Sequence, residues 1–81
     1  MPNGEIEKHD GEIITFIRSL RKYNQTGAGL NMGVSQQAYA KWEKTEVIAE
    51  DKKLAILKAL KSSPQEFEFV KNLLYPPPEN E

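Results

Sequence analysis

The feature that most constrains this chain is a glycine, Gly33, set between two stretches that each have room for only about two helical turns. Asn24 has the side chain of a helix N-cap and opens a segment over 25–32. Gly33 can take up the left-handed conformation of an abrupt helix exit. Two residues later Ser35 is again an N-cap and opens Gln36 to Lys44. So short a pair cannot bury its own apolar faces and must pack on other elements. The first member is poorly built as a helix, because Gly27 and Gly29 each cost ~1 kcal/mol relative to alanine in a helix interior. Ala28 and Met32, four apart, are its core-facing residues, and Tyr39 and Trp42 are the anchors of the second.

The supporting elements are also helical. Ile13, Ile14, Ile17 and Leu20 recur at three- and four-residue intervals over 12–23, with Asp10 placed as the N-cap and Glu12 in the first turn. Residues 45–49 read as a loop. A fourth helix over 50–61 carries Leu54, Ile56, Leu57 and Leu60 as its stripe. Ser63 caps a fifth, with Pro64 in the first-turn position that tolerates proline, and it runs to Leu74. Residues 76–78 are all proline and stop it. The reading is an all-α fold, a five-helix bundle containing a helix–turn–helix. A flexible arm is expected over 1–11, the helix–turn–helix domain over 12–74, and a Pro-rich disordered tail over 75–81. His9, in the arm, is given no role.

With 81 residues the chain is one small domain. It has no cysteine and one histidine, which excludes disulfides, thiolate chemistry and His-rich metal sites, so no metal or cofactor is expected. No Ser/His/Asp arrangement or phosphate-cradling glycine loop points to an enzyme. No apolar run is long enough to cross a membrane, and a cytoplasmic location is expected. The net charge of −1 hides an asymmetry. Residues 12–45 carry +3, and the segments on either side carry −2 each.

Several stretches resemble the Cro and phage-repressor (XRE-like, lambda-repressor-like) type of helix–turn–helix, found in bacterial and phage regulators and in antitoxins. Ile17-Arg18 resembles its apolar–arginine pair in helix 1, and Gln25 its glutamine at the start of helix 2. Gly33-Val34-Ser35-Gln36-Gln37 is similar to its turn and recognition-helix start. Tyr39, Trp42 and Glu43 match its two anchors and following acid, residues 54–60 its fourth helix, and Ser63-Pro64-Gln65-Glu66-Phe67 the start of its fifth. The resemblance covers about 12–70. It implies that Gln25 holds a backbone phosphate and that Arg18 and Glu43 form a partly buried pair tying helix 1 to the recognition helix.

The residue chemistry agrees with that expectation. A glutamine amide at the start of a recognition helix can donate to adenine N7 and accept from N6, which assigns base reading to Gln36 or Gln37. Lys41 projects from the same side as Gln37 and suits a phosphate. Ser35, Ala40, Lys44 and Thr45 complete the expected DNA-facing set, with Ser35 also a cap. Helix 5 has more apolar residues than one buried stripe needs, so Phe67, Phe69, Val70, Leu73 and Leu74 are expected at a homodimer interface. The expected function is sequence-specific binding of double-stranded DNA by a transcriptional repressor that reads the major groove with residues 35–44. The alternative is an antitoxin that neutralises a partner toxin and regulates its own operon.

Overall fold

Four of the helices begin at a side chain that accepts a hydrogen bond from the first turn. A computed structural model describes residues 9–76, which form α1 (Asp10–Leu20), α2 (Gln25–Met32), α3 (Gln36–Glu43), α4 (Glu50–Ala59) and α5 (Pro64–Leu74). Asn24 accepts from Gly27 N–H, Ser35 from Ala38 N–H and Ser63 from Glu66 N–H, as their positions predict. No strand occurs among the described residues, and none of their helices is long and apolar enough to cross a membrane.

The start of α1 departs from expectation. His9, not Asp10, is the N-cap, and its Nδ1 accepts from the Glu12 N–H at 3.1 Å. Asp10 is the first helical residue and is buried. Its Oδ2 accepts from the Ile48 N–H at 2.9 Å. The Asp10 and Gly11 N–H groups donate to the Glu46 and Thr45 carbonyls, each at 2.9 Å. A carboxylate and two otherwise orphaned helix-start donors therefore hold the loop after α3. Residues 9–11 consequently belong to the folded body rather than to an arm, while residues 1–8 lie outside the described set. His9→Ala is expected to lower the unfolding free energy by about 1 kcal/mol, and His9→Ser to retain it, in denaturant titrations.

Two helices end sooner than their apolar patterns suggest. After α1, Lys22 takes φ 62°, and after α4, Lys61 takes φ 59°. Both are left-handed exits occupied by a residue with a Cβ, at a cost of order 1 kcal/mol each. Lys22→Gly and Lys61→Gly are each expected to raise the denaturation midpoint, by the equivalent of about 0.5–1 kcal/mol.

Ile13, Ile14, Ile17, Ala28, Tyr39, Ile48, Ile56, Leu57, Leu60, Phe67 and Val70 form the core, with Phe16, Tyr23, Met32, Trp42 and Tyr75 packed at its margin. Leu20 and Leu54, expected in the buried stripes, are instead exposed. Leu54 projects roughly 100° away from the face defined by Ile56, Leu57 and Leu60. Leu20 flanks the face set by the three isoleucines. α1 and α5 run antiparallel, with Arg21 paired to Glu66 at one end and the Tyr75 hydroxyl donating to Glu12 at the other. Tyr75 thus belongs to the packed body and not to the tail; residues 77–81 lie outside the described set.

Candidate nucleic-acid interface

The geometry of α2 and α3 follows from two glycines. Gly33 takes φ 78°, the left-handed conformation expected of it, and Val34 N–H donates to the Gly29 carbonyl at 2.9 Å. A Cβ on Gly29 would meet the carbonyl oxygens of Val34 and Ser35 at 3.0 Å. The turn therefore folds back against α2, and only the smallest side chain leaves it room. Gly27, by contrast, faces nothing but the Asn24 side chain.

The first residues of α2 and α3 meet. Gln36 Nε2 donates to Gln25 Oε1 at 2.7 Å. Two helix N-termini with their unsatisfied N–H groups thus converge on one surface, where the aligned peptide dipoles favour negative charge. Gln36, Gln37, Lys41 and Lys44 are exposed there, and Ala40 and Thr45 are half-buried. Gln37 and Lys41 lie one turn apart on α3. Lys22, Lys41 and Lys44 pair with no acid among the described residues. Ser35 Oγ caps α3, leaving its proton free to donate. Thr45 Oγ1 donates to the Lys41 carbonyl at 2.7 Å, so its remaining capacity is to accept.

Behind this surface Arg18 and Glu43 form a two-pronged pair, with Nε to Oε2 at 2.6 Å and Nη2 to Oε1 at 3.2 Å. The Glu43 side chain is 6% exposed. Arg18 Nη1 also donates to the Tyr23 carbonyl at 2.9 Å, which ties the α1–α2 junction to the same guanidinium. Gln25 Nε2 donates to Glu43 Oε1 at 2.8 Å. Burial by itself pushes the Glu43 carboxyl up, but the hydrogen bonds from Arg18 and Gln25 outweigh it and hold the group below the ordinary carboxylate range. Tyr39 packs beside the pair in the core. Its hydroxyl is buried without a hydrogen-bond partner, and burial pushes its phenol above the usual range.

The Arg18–Glu43 pair forms as the family resemblance implies, and the expected surface residues of α3 share one face. Gln25 is not a free side chain but the link between Glu43 and Gln36. Two residues expected at a subunit interface, Phe67 and Val70, are 2% and 1% exposed and belong to the core, so neither can meet another chain. The apolar residues that α5 does present are Phe69, Leu73 and, at its end, Leu74.

Sequence reasoning missed Gly11. A Cβ there would lie 2.3 Å from the Glu43 carbonyl oxygen and 2.7 Å from that of Trp42. The C-terminal end of α3 thus rests directly on the first turn of α1. Nothing in apolar periodicity marks such a contact. Its only trace is a glycine beside an otherwise favourable helix start. No protein-family model, curated protein or solved structure matches this chain.

Proposed function

We propose that this protein binds double-stranded DNA sequence-specifically, with α3 in the major groove, and acts as a transcriptional repressor. The observation that carries the reading is the joining of the α2 and α3 N-termini through Gln25 and Gln36, with two amides and two lysines exposed along the same face. One Gln36 Nε2 proton is taken by Gln25, which leaves one N–H and the carbonyl oxygen. That donor–acceptor pair matches adenine N7 and N6. Gln37 offers the same chemistry one residue on. Ala40 is small enough to let a thymine methyl approach. Lys41, Lys44 and the Ser35 hydroxyl suit phosphate oxygens.

The test is duplex binding followed by fluorescence anisotropy across a salt series. Affinity should fall steeply as salt rises, because each neutralised phosphate releases counterions. Gln37→Ala should relax preference at one base position, by about 1–3 kcal/mol. Lys41→Ala should weaken binding to all sequences alike and reduce the salt slope by about 1. Binding to a duplex that is indifferent to both salt and Lys41 would rule the reading out.

A single α3 touches few base pairs, so the reading also calls for a second copy of the chain, which sets two recognition helices one DNA turn, ~34 Å, apart. The surface offered for that contact is the outer seam of α1 and α5. Phe69, Leu73 and Leu20 are more than half exposed there. Phe69 and Leu73 lie four apart on α5 and so share one of its faces. Phe69→Glu combined with Leu73→Glu should leave the fold intact by circular dichroism and lower the sedimentation coefficient from that of a dimer to that of a monomer. A monomer before and after the change removes the second copy from the account.

A further inference from the structure

The side chains of Arg18, Glu43, Gln25 and Gln36 form one continuous chain of hydrogen bonds from the interior to the surface. The direction of each bond in it is set chemically. A guanidinium can only donate, and an ionised carboxylate can only accept. Glu43 therefore forces the Nε2 of Gln25 inward. The Gln25 carbonyl oxygen must then point outward, where it can only accept, and this forces the Nε2 of Gln36 toward it. The buried carboxylate so decides which way round an exposed amide two residues removed is held.

We propose that Glu43 is a positioning residue that fixes the amide orientation of Gln36, and through it a preference for adenine over guanine in duplex DNA. This rests on the DNA-binding reading above for its outcome, but the orientation itself is a property of the free protein. The consequence is specific. In Glu43→Gln the new side chain keeps the shape of the old one, and its carbonyl oxygen is held by the donor-only Arg18. With that oxygen in the place of Oε2, at the shorter Arg18 Nε contact, the amide nitrogen takes the place of Oε1; it gives up the 3.2 Å bond from Arg18 Nη2 and donates to Gln25, so Gln25 turns over and donates to Gln36. Gln36 now accepts through its oxygen and carries two free N–H groups outward. Two donors match guanine N7 and O6, both acceptors, where one donor and one acceptor matched adenine.

Two measurements test this separately. In the free protein, side-chain amide NMR of the native chain should show one Gln36 Nε2 proton shifted downfield by its bond to Gln25. In Glu43→Gln that proton should return toward the solvent-exposed position, with circular dichroism confirming the fold. An unmoved Gln36 resonance overturns the proposal whether or not the protein binds DNA. On duplexes that differ by a single A·T or G·C pair, chosen as the pair sensitive to Gln36→Ala, Glu43→Gln should lower the adenine-over-guanine ratio by about tenfold. Gln25→Leu leaves the ion pair untouched and severs the chain, and it should also erase the ratio's dependence on Gln36. A uniform loss of affinity in both variants, with the ratio unchanged, would show that Glu43 acts on stability alone and overturn the proposal. If the native chain binds no duplex, the function proposed above fails while the NMR result still stands or falls alone.

Discussion

Gly11→Ala is expected to destabilise the fold by about 2–3 kcal/mol, although alanine ordinarily gains up to ~1 kcal/mol over glycine within a helix. The added methyl would sit 2.3 Å from the Glu43 carbonyl oxygen and 2.5 Å from its carbonyl carbon. Both are backbone atoms, so the neighbour cannot rotate away. Either α1 or α3 must move, and the bonds from Asp10 and Gly11 to the loop at 45–46 would be strained with it. Gly27→Ala is the internal control. The nearest atom there is the Asn24 Oδ1 at 3.3 Å, the end of a side chain. Substitution at this site should be neutral or stabilise by up to ~1 kcal/mol. Urea titrations of the two variants should therefore move in opposite directions or differ by several kcal/mol. Similar midpoints would mean that α1 and α3 are not in close contact at Gly11.

Arg18→Met should cost about 3–5 kcal/mol at neutral pH, because it leaves a buried carboxylate without its cation while roughly preserving side-chain volume. The pH dependence identifies the cause. In the native protein the Glu43 carboxyl titrates lower folded than unfolded. Its contribution is therefore fully present above the unfolded carboxylate value, ~4.3, and is lost as pH falls through the folded one. Glu66, held low by its hydrogen bond from Ser62 and by Arg21, behaves the same way. In Arg18→Met burial acts on Glu43 with less opposition, so its carboxyl should rise above the unfolded value. Protonation then relieves the buried charge, and the gap between variant and native should narrow as pH falls from 7 toward 4. A gap constant over that range would mean that Arg18 contributes by packing alone. The companion change Tyr39→Phe removes a hydroxyl with no partner and is expected to alter stability by less than ~1 kcal/mol.

The element plan was legible because several helix ends carry their own chemical signal. Asn24, Ser35 and Ser63 cap where their side-chain chemistry places them, and Gly33 exits left-handed. Charges at ends and apolar spacing then locate the bodies of the helices. What was not legible is contact between residues far apart in the chain. Asp10 reads locally as a cap, but its carboxylate is used 38 residues away at Ile48, so the cap passes to His9. Phe67, Phe69, Val70 and Leu73 are equally apolar in sequence. Only the packing of α5 against the rest of the bundle divides them into two buried and two exposed. Lys22 and Lys61 give no sign of their left-handed backbone, because a lysine carries none of the glycine or asparagine preference that marks such an exit.

The candidate site shows the same division. Gln36, Gln37 and Lys41 could be placed on one exposed face from periodicity, and the Arg18–Glu43 pair from the family resemblance. The bond from Gln36 to Gln25 joins residues from different helices, and its direction depends on a buried carboxylate. No spacing rule encodes that. The glycine contact under α3 is invisible for a related reason, since glycine contributes no side chain to any pattern.

That the amide face of α3 reads bases can be checked by selecting bound duplexes from a random library. The expected result is enrichment of a short motif with an adenine that Gln36→Ala no longer selects, repeated with two-fold symmetry about one helical turn apart. Recovery of no motif by the native chain, or of an identical motif by Gln36→Ala and Gln37→Ala variants that remain folded, would contradict it.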